Sequence, residues 1–137
     1  MARPRSSQPT DGEMEILKVL WAVGPAELGQ IRAQLQKQRP VATTTIATML
    51  KVMLGKKLVK RSDGKRGYVW SARASRTRTA SELVRKVLDH VFDGSAGRLV
   101  AHLLEETELD RRDRDEIRKL LEAFDAREVG SPGETPP

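Results

Sequence analysis

No cysteine occurs among the 137 residues, which excludes a disulfide framework and a thiolate metal site. Histidine is nearly absent too. His90 and His102 fall on separate predicted helices with no second imidazole or thiolate nearby, so no metal centre is expected. The five aromatic residues are too few to line a ligand pocket. No apolar run approaches the roughly 20 residues a membrane helix needs. The opening MARPRSSQPT holds charge but no apolar segment, so it does not read as a signal peptide. Phosphate loops, nucleophile elbows and dinucleotide fingerprints are missing as well. Together these absences predict a cytoplasmic protein that inserts in no membrane, carries no cofactor and catalyses nothing.

Charge is abundant and unevenly spread. The net charge is +6, with 14 basic against 5 acidic residues up to Ser75 and 11 against 14 from Arg76 onward. The front half therefore stands at +9 and the back half at −3. A basic half of this size points to an anionic partner. Nucleic acid is the commonest, and charge alone leaves a membrane surface or an acidic protein open.

Residues 1–10 are rich in Pro, Ser and Arg and predict a disordered basic arm. Thr10 and Glu13 have capping-box spacing, so a helix should start near Asp11 and bury Met14, Leu17 and Leu20 or Trp21 before Gly24 stops it. Pro25 suits the first turn of a second helix over 26–38, with Leu28, Ile31 and Leu35 inward. A third helix is expected from about Ala42 to Lys56, with Ile46, Met49, Leu50, Met53 and Leu54 on one arc. Two short alternating segments around Asp63-Gly64 then read as a hairpin. Three helices followed by a hairpin is the order of a winged helix-turn-helix domain, here 11–74. Residues 75–127 read as three more helices, about 76–92, 95–107 and 111–126, with Asp110 capping the last. The Gly/Pro-rich 128–137 predicts a disordered tail. The fold class is thus mainly α, with a small β wing.

The third helix raises its own question, because VATTTIATML places four threonines in six positions although threonine is a mediocre helix former. On a recognition helix the choice has a reason. Its outward residues Thr44, Thr45, Ala47 and Thr48 would face base edges, where a hydroxyl donates or accepts and a methyl packs on thymine. Phosphate contacts would come from Arg39 before the helix, Thr43 at its start, Lys51 one turn on, Lys56 and Lys57 at its end, Lys60 and Arg61 on the wing strand and Lys65 and Arg66 at the wing tip. The plainer alternative, a capped helix with a solvated threonine face, is weakened by that basic shell.

These stretches carry a resemblance. EMEILKVLW, TTTIATMLKVMLGKKLVKR, GKRGYVWSA and FDGSAGRLVAHLLEETELDRRDRDEIRKLLE, in this order and spacing over about residues 12–124, resemble the penicillinase-repressor family (BlaI/MecI). The resemblance implies a homodimeric winged-helix repressor on an inverted-repeat operator, often with TACA and TGTA half-sites. It carries base contacts onto Thr44, Thr45, Ala47 and Thr48 and wing contacts onto Lys65 and Arg66. Some members have a long basic residue where Ala47 stands here. Some are inactivated when a membrane-bound sensor system cuts the middle C-terminal helix, typically at an Asn-Phe bond. The matching bond here is His102-Leu103, with a regulatory protease as the implied partner. Copper-responsive members carry a C-terminal cysteine cluster, which this chain lacks.

Dimerisation also follows from the residues. The back helices carry Leu83, Val87, Leu88 and Val91, then Leu99, Val100, Leu103 and Leu104, then Ile117, Leu120, Leu121 and Phe124. A thin appendage cannot bury these, whereas a symmetric interface with a second copy can. The alternative is that the helices fold back on their own winged domain. Two rival functions stay open at this point: a winged-helix module that docks an acidic protein, and a ligand-sensing regulator of another winged-helix family.

Overall fold

A computed structural model of the chain describes residues 8–129; the expected arm up to residue 7 and the tail from 130 lie outside the described residues. Helix α1 spans Asp11–Val23 and begins as its sequence directs. The Thr10 backbone N–H donates to Glu13 Oε1 at 2.9 Å, and the Glu13 N–H donates to Thr10 Oγ1 at 3.2 Å, so two otherwise orphaned amides are satisfied reciprocally. Gly24, at φ 82°, ends the helix in a conformation that only glycine adopts without strain. Ile16, Leu17 and Leu20 form the buried face, and Met14 is only half-buried.

The second helix is shorter than its pattern suggested. Pro25 does not open it. Ala26 and Glu27 instead form a two-residue strand, β1, and α2 runs only Leu28–Leu35. Ala26 pairs with Trp70 and Glu27 with Val69 in the wing, so tertiary pairing overrides a helical reading of AELGQ. Helix α3 follows at Thr43–Gly55, one residue inside each expected limit, with Ile46, Leu50 and Met53 buried. The Arg32 guanidinium fixes the turn before it by donating from Nε to the Val41 carbonyl at 3.0 Å. At its far end the Leu58 N–H reaches back to the Met53 carbonyl and the Lys57 N–H to the Leu54 carbonyl. These are the paired bonds of a Schellman-type helix end, and they place Lys57 at φ 63°.

Strands β2 (Val59–Asp63) and β3 (Tyr68–Ala72) pair antiparallel from Val59↔Ala72 to Asp63↔Tyr68. The turn is not centred on Asp63-Gly64 as expected. Asp63 still belongs to β2, and Gly64, Lys65, Arg66 and Gly67 make the tip, closed by the Gly64 N–H on the Gly67 carbonyl at 2.7 Å. The sheet is three-stranded in the order β1-β3-β2. Its inner residues Val59, Trp70 and Ala26 complete one core with Ile16, Ile31, Ile46, Leu50 and Met53.

Three more helices follow: α4 Arg76–Val91, α5 Ala96–Glu106 and α6 Arg111–Val129. Asp110 caps α6 as expected, accepting the Asp113 N–H at 2.8 Å. Helix α6 also takes in Glu128 and Val129, expected in the tail. The chain divides into compact units between Val87 and Leu88, not at residue 74. The first turns of α4 belong to the winged unit: Thr79 is buried there, and the Trp21 indole N–H binds the Ala74 carbonyl at 2.9 Å. In the second unit, residues 88–128, no side chain is buried. No helix among the described residues is long and apolar enough to cross a membrane.

Candidate nucleic-acid interface

Burying Ile46, Leu50 and Met53 turns the opposite face of α3 outward. Thr43, Thr44, Thr45 and Thr48 are all exposed there, and Ala47 is half-buried among them. Ala42, not Thr43, occupies the N-cap position, and no side chain caps the helix there. The Thr48 hydroxyl donates to the Thr44 carbonyl at 2.9 Å, which leaves its oxygen as an acceptor and turns its methyl to a fixed position. Lys51 is exposed one turn further along.

Alternation in the hairpin decides what faces this helix. Arg61 pairs across the sheet with Trp70 and shares a face with it. Its guanidinium lies 4.1 Å from the Tyr68 ring centroid and 5.8 Å from that of Trp70, two cation–π contacts. Tyr68 and Trp70 themselves meet edge to face at 5.9 Å. The result is a groove of 460 Å³ that brings Ala47 and Lys51 of α3 together with Arg61, Arg66 and Tyr68 of the wing. Among the described residues, Glu27 is the one acid along it. Tyr68 was missed by the sequence reading, although period two from Arg61's partner Trp70 would have put an aromatic ring on that face.

Other expected phosphate residues go elsewhere. Lys56 is not a free cation: its Nζ lies 2.7 Å from Glu13 Oε1, with the two side chains only 10% and 4% exposed. Burial by itself would raise the Glu13 pKa, but the Lys56 ammonium and the Thr10 amide outweigh it and hold the carboxyl below its ordinary 4.5. Lys57 lines a different cleft. Lys60 sits one residue from Arg61 and so on the opposite sheet face. Arg39 pairs with Glu15 at 3.1 Å but stays largely exposed. Lys65 is exposed at the wing tip.

In the second unit the expected interface residues Val91, Val100, Leu103, Leu104, Leu120, Leu121 and Phe124 are exposed, while Leu88, Leu99 and Ile117 are half-buried. Leu83 and Val87 fall in the winged unit. His102 and Leu103 lie inside α5, both exposed, with the imidazole 5.5 Å from the Phe92 ring. No group of acids and histidines among the described residues could hold a metal ion.

The chain matches the penicillinase repressor family over residues 9–123. It belongs to that family. The penicillinase repressor of Staphylococcus aureus is 21% identical over 109 residues, covering 80% of this chain and 86% of that one. The penicillinase repressor of Bacillus licheniformis is 23% identical over 115 residues, 84% of this chain and 90% of its own. A crystallographically solved transcriptional regulator from Thermotoga maritima superimposes with a TM-score of 0.45 at 18% identity, covering 88% of this chain and 78% of that one. As a member of the penicillinase repressor family, the chain is a DNA-binding transcriptional repressor and not an enzyme.

Proposed function

We propose that this repressor acts in the cytoplasm as a homodimer that reads an inverted-repeat operator. Thr44, Thr45 and Thr48 meet base edges in the major groove, and Ala47 lets the helix approach closely. Lys51, Arg61, Lys65 and Arg66 neutralise phosphates beside them and set the register without reading sequence. The observation that carries this reading is the groove, which joins the outward face of α3 to a wing arginine already held in place by two aromatic rings. Pairing of the exposed apolar faces of α5 and α6 with a second copy would double the contacts and match a two-fold operator. Proteolysis at His102-Leu103 would release repression by cutting within that paired region. Because the bond is helical, a protease would first have to unwind it.

Selection of bound duplexes from a random pool, with the stoichiometry measured alongside, tests the reading. Enrichment of a palindrome bound by two chains is the expected outcome. Uniform, purely salt-sensitive binding to every duplex would refute it.

A further inference from the structure

A second cationic cleft lies at the other end of α3 and shares no residue with the groove. It measures 390 Å³ and lies between the turn that follows α3, the residues that follow β3, the first turns of α4 and Gln8-Pro9, a volume suited to a small ligand. Lys57, Arg73 and Arg78 line it together with the buried Thr79. Lys57 and Arg73 have no carboxylate partner among the described residues. Arg78 meets Glu82 at 3.4 Å where both are well exposed, a pairing easily exchanged for another anion.

The backbone supplies an independent observation. Lys57 is one of two non-glycine residues at positive φ among the described residues, at 63°. It occupies the position of a Schellman-type end that glycine normally fills, since a Cβ there is sterically disfavoured. Ending the helix does not require a lysine. A strained residue that delivers a cation to a cleft with two arginines is better explained by what the cation binds.

We propose that this cleft binds a small anion carrying two or more negative charges. The DNA backbone is not the source of that charge. Lys57 follows Thr45 by twelve residues, on the order of 18 Å along the helix axis, and the base-facing groove is built without it. The cleft walls join the end of the recognition helix to the start of α4. Occupancy would therefore shift operator affinity to the extent that the anion binds the DNA-free and DNA-bound forms differently.

Inorganic pyrophosphate is a suitable probe, titrated into the ¹⁵N-labelled full chain at constant ionic strength. Saturable shifts at the amides of Lys57, Arg73, Arg78 and Thr79 are expected. Lys57→Gly should fold at least as well, because it relieves the positive φ, and should weaken pyrophosphate binding tenfold or more. Arg73→Gln should weaken it as well with φ at Lys57 untouched. Non-saturating shifts, unchanged affinity in both variants, or saturable shifts confined to Ala47, Lys51, Arg61 and Arg66 would overturn the proposal. So would a Lys57→Gly chain whose operator binding loses about one unit of salt slope, since the cleft would then be a DNA phosphate contact.

Discussion

Ile16, Ile31, Ile46, Leu50 and Met53 in the winged unit are wholly shielded from solvent, whereas Val91, Leu120, Leu121 and Phe124 in the second unit are each more than 60% exposed. Both sets follow helical periodicity, so the pattern by itself does not say where an apolar face goes. Three helices and a sheet provide each other with a common core, while α5 and α6 present stripes that a single chain leaves in water. At about 25 cal/mol per Å² of buried apolar surface, the first arrangement stabilises a lone chain and the second rewards only association. Stability should consequently be independent of concentration in one unit and dependent on it in the other.

The strongest way to break that contrast is to charge the exposed stripes. Leu103→Asp with Leu120→Asp should give monomers by sedimentation. The winged unit should keep its own cooperative melting, and operator affinity should fall on the order of 100-fold or more through loss of the second half-site. A double variant that still sediments as a dimer would place the interface elsewhere.

The next effect concerns the buried Lys56–Glu13 ion pair of the winged unit. Lys56→Met leaves the Glu13 carboxylate buried without its cation and should cost about 3 kcal/mol, read by chemical denaturation. The pH dependence has a definite sign. Glu13 has a lowered folded pKa, so its contribution is present above the ordinary 4.5 and is lost as pH falls from there through the folded value. Without Lys56 the carboxyl loses the cation that lowers its folded pKa, so the stability lost by the variant should be largest at neutral pH and shrink as pH falls through the ordinary 4.5.

That pair also shows where sequence reading stops. The capping box at Thr10 and Glu13 is local and was legible, as were the buried arc of α3 and the Asp110 cap. The Lys56 partner lies 43 positions away, and nothing in GKKLVK marks one lysine as paired and the next as free. Strand β1 is equally invisible, since two residues have no period and Ala26 becomes a strand residue only because Trp70 lies opposite. The unit boundary was misplaced because α4 belongs by its early turns to the fold before it. The threonine face was readable because composition and helical arc agree there.

Within that face the expected effects are smaller. Thr44→Ala or Thr48→Ala should weaken operator binding by on the order of 1 kcal/mol and relax discrimination at one base pair, as measured against a panel of single-base operator variants. Equal losses on every duplex would mean that the threonines shape the backbone fit without reading sequence. Thr48→Ala carries the added loss of a local bond to the Thr44 carbonyl, so the two positions are best compared with Thr48→Ser, which keeps that bond and removes only the methyl.

The finest comparison lies between neighbours. Lys60 and Arg61 look alike in sequence, yet period two puts Arg61 over Tyr68 and into the groove while Lys60 points from the opposite sheet face. Arg61→Ala should lower the salt slope of operator binding by about one unit, and Lys60→Ala should leave it unchanged. Tyr68→Leu, which keeps an apolar surface but removes the ring beneath the guanidinium, should weaken binding with the full slope retained. The cation would still be present and only its positioning lost. If Lys60→Ala and Arg61→Ala flatten the slope equally, the wing does not approach the duplex by the face that carries Trp70, and the groove loses its part in recognition.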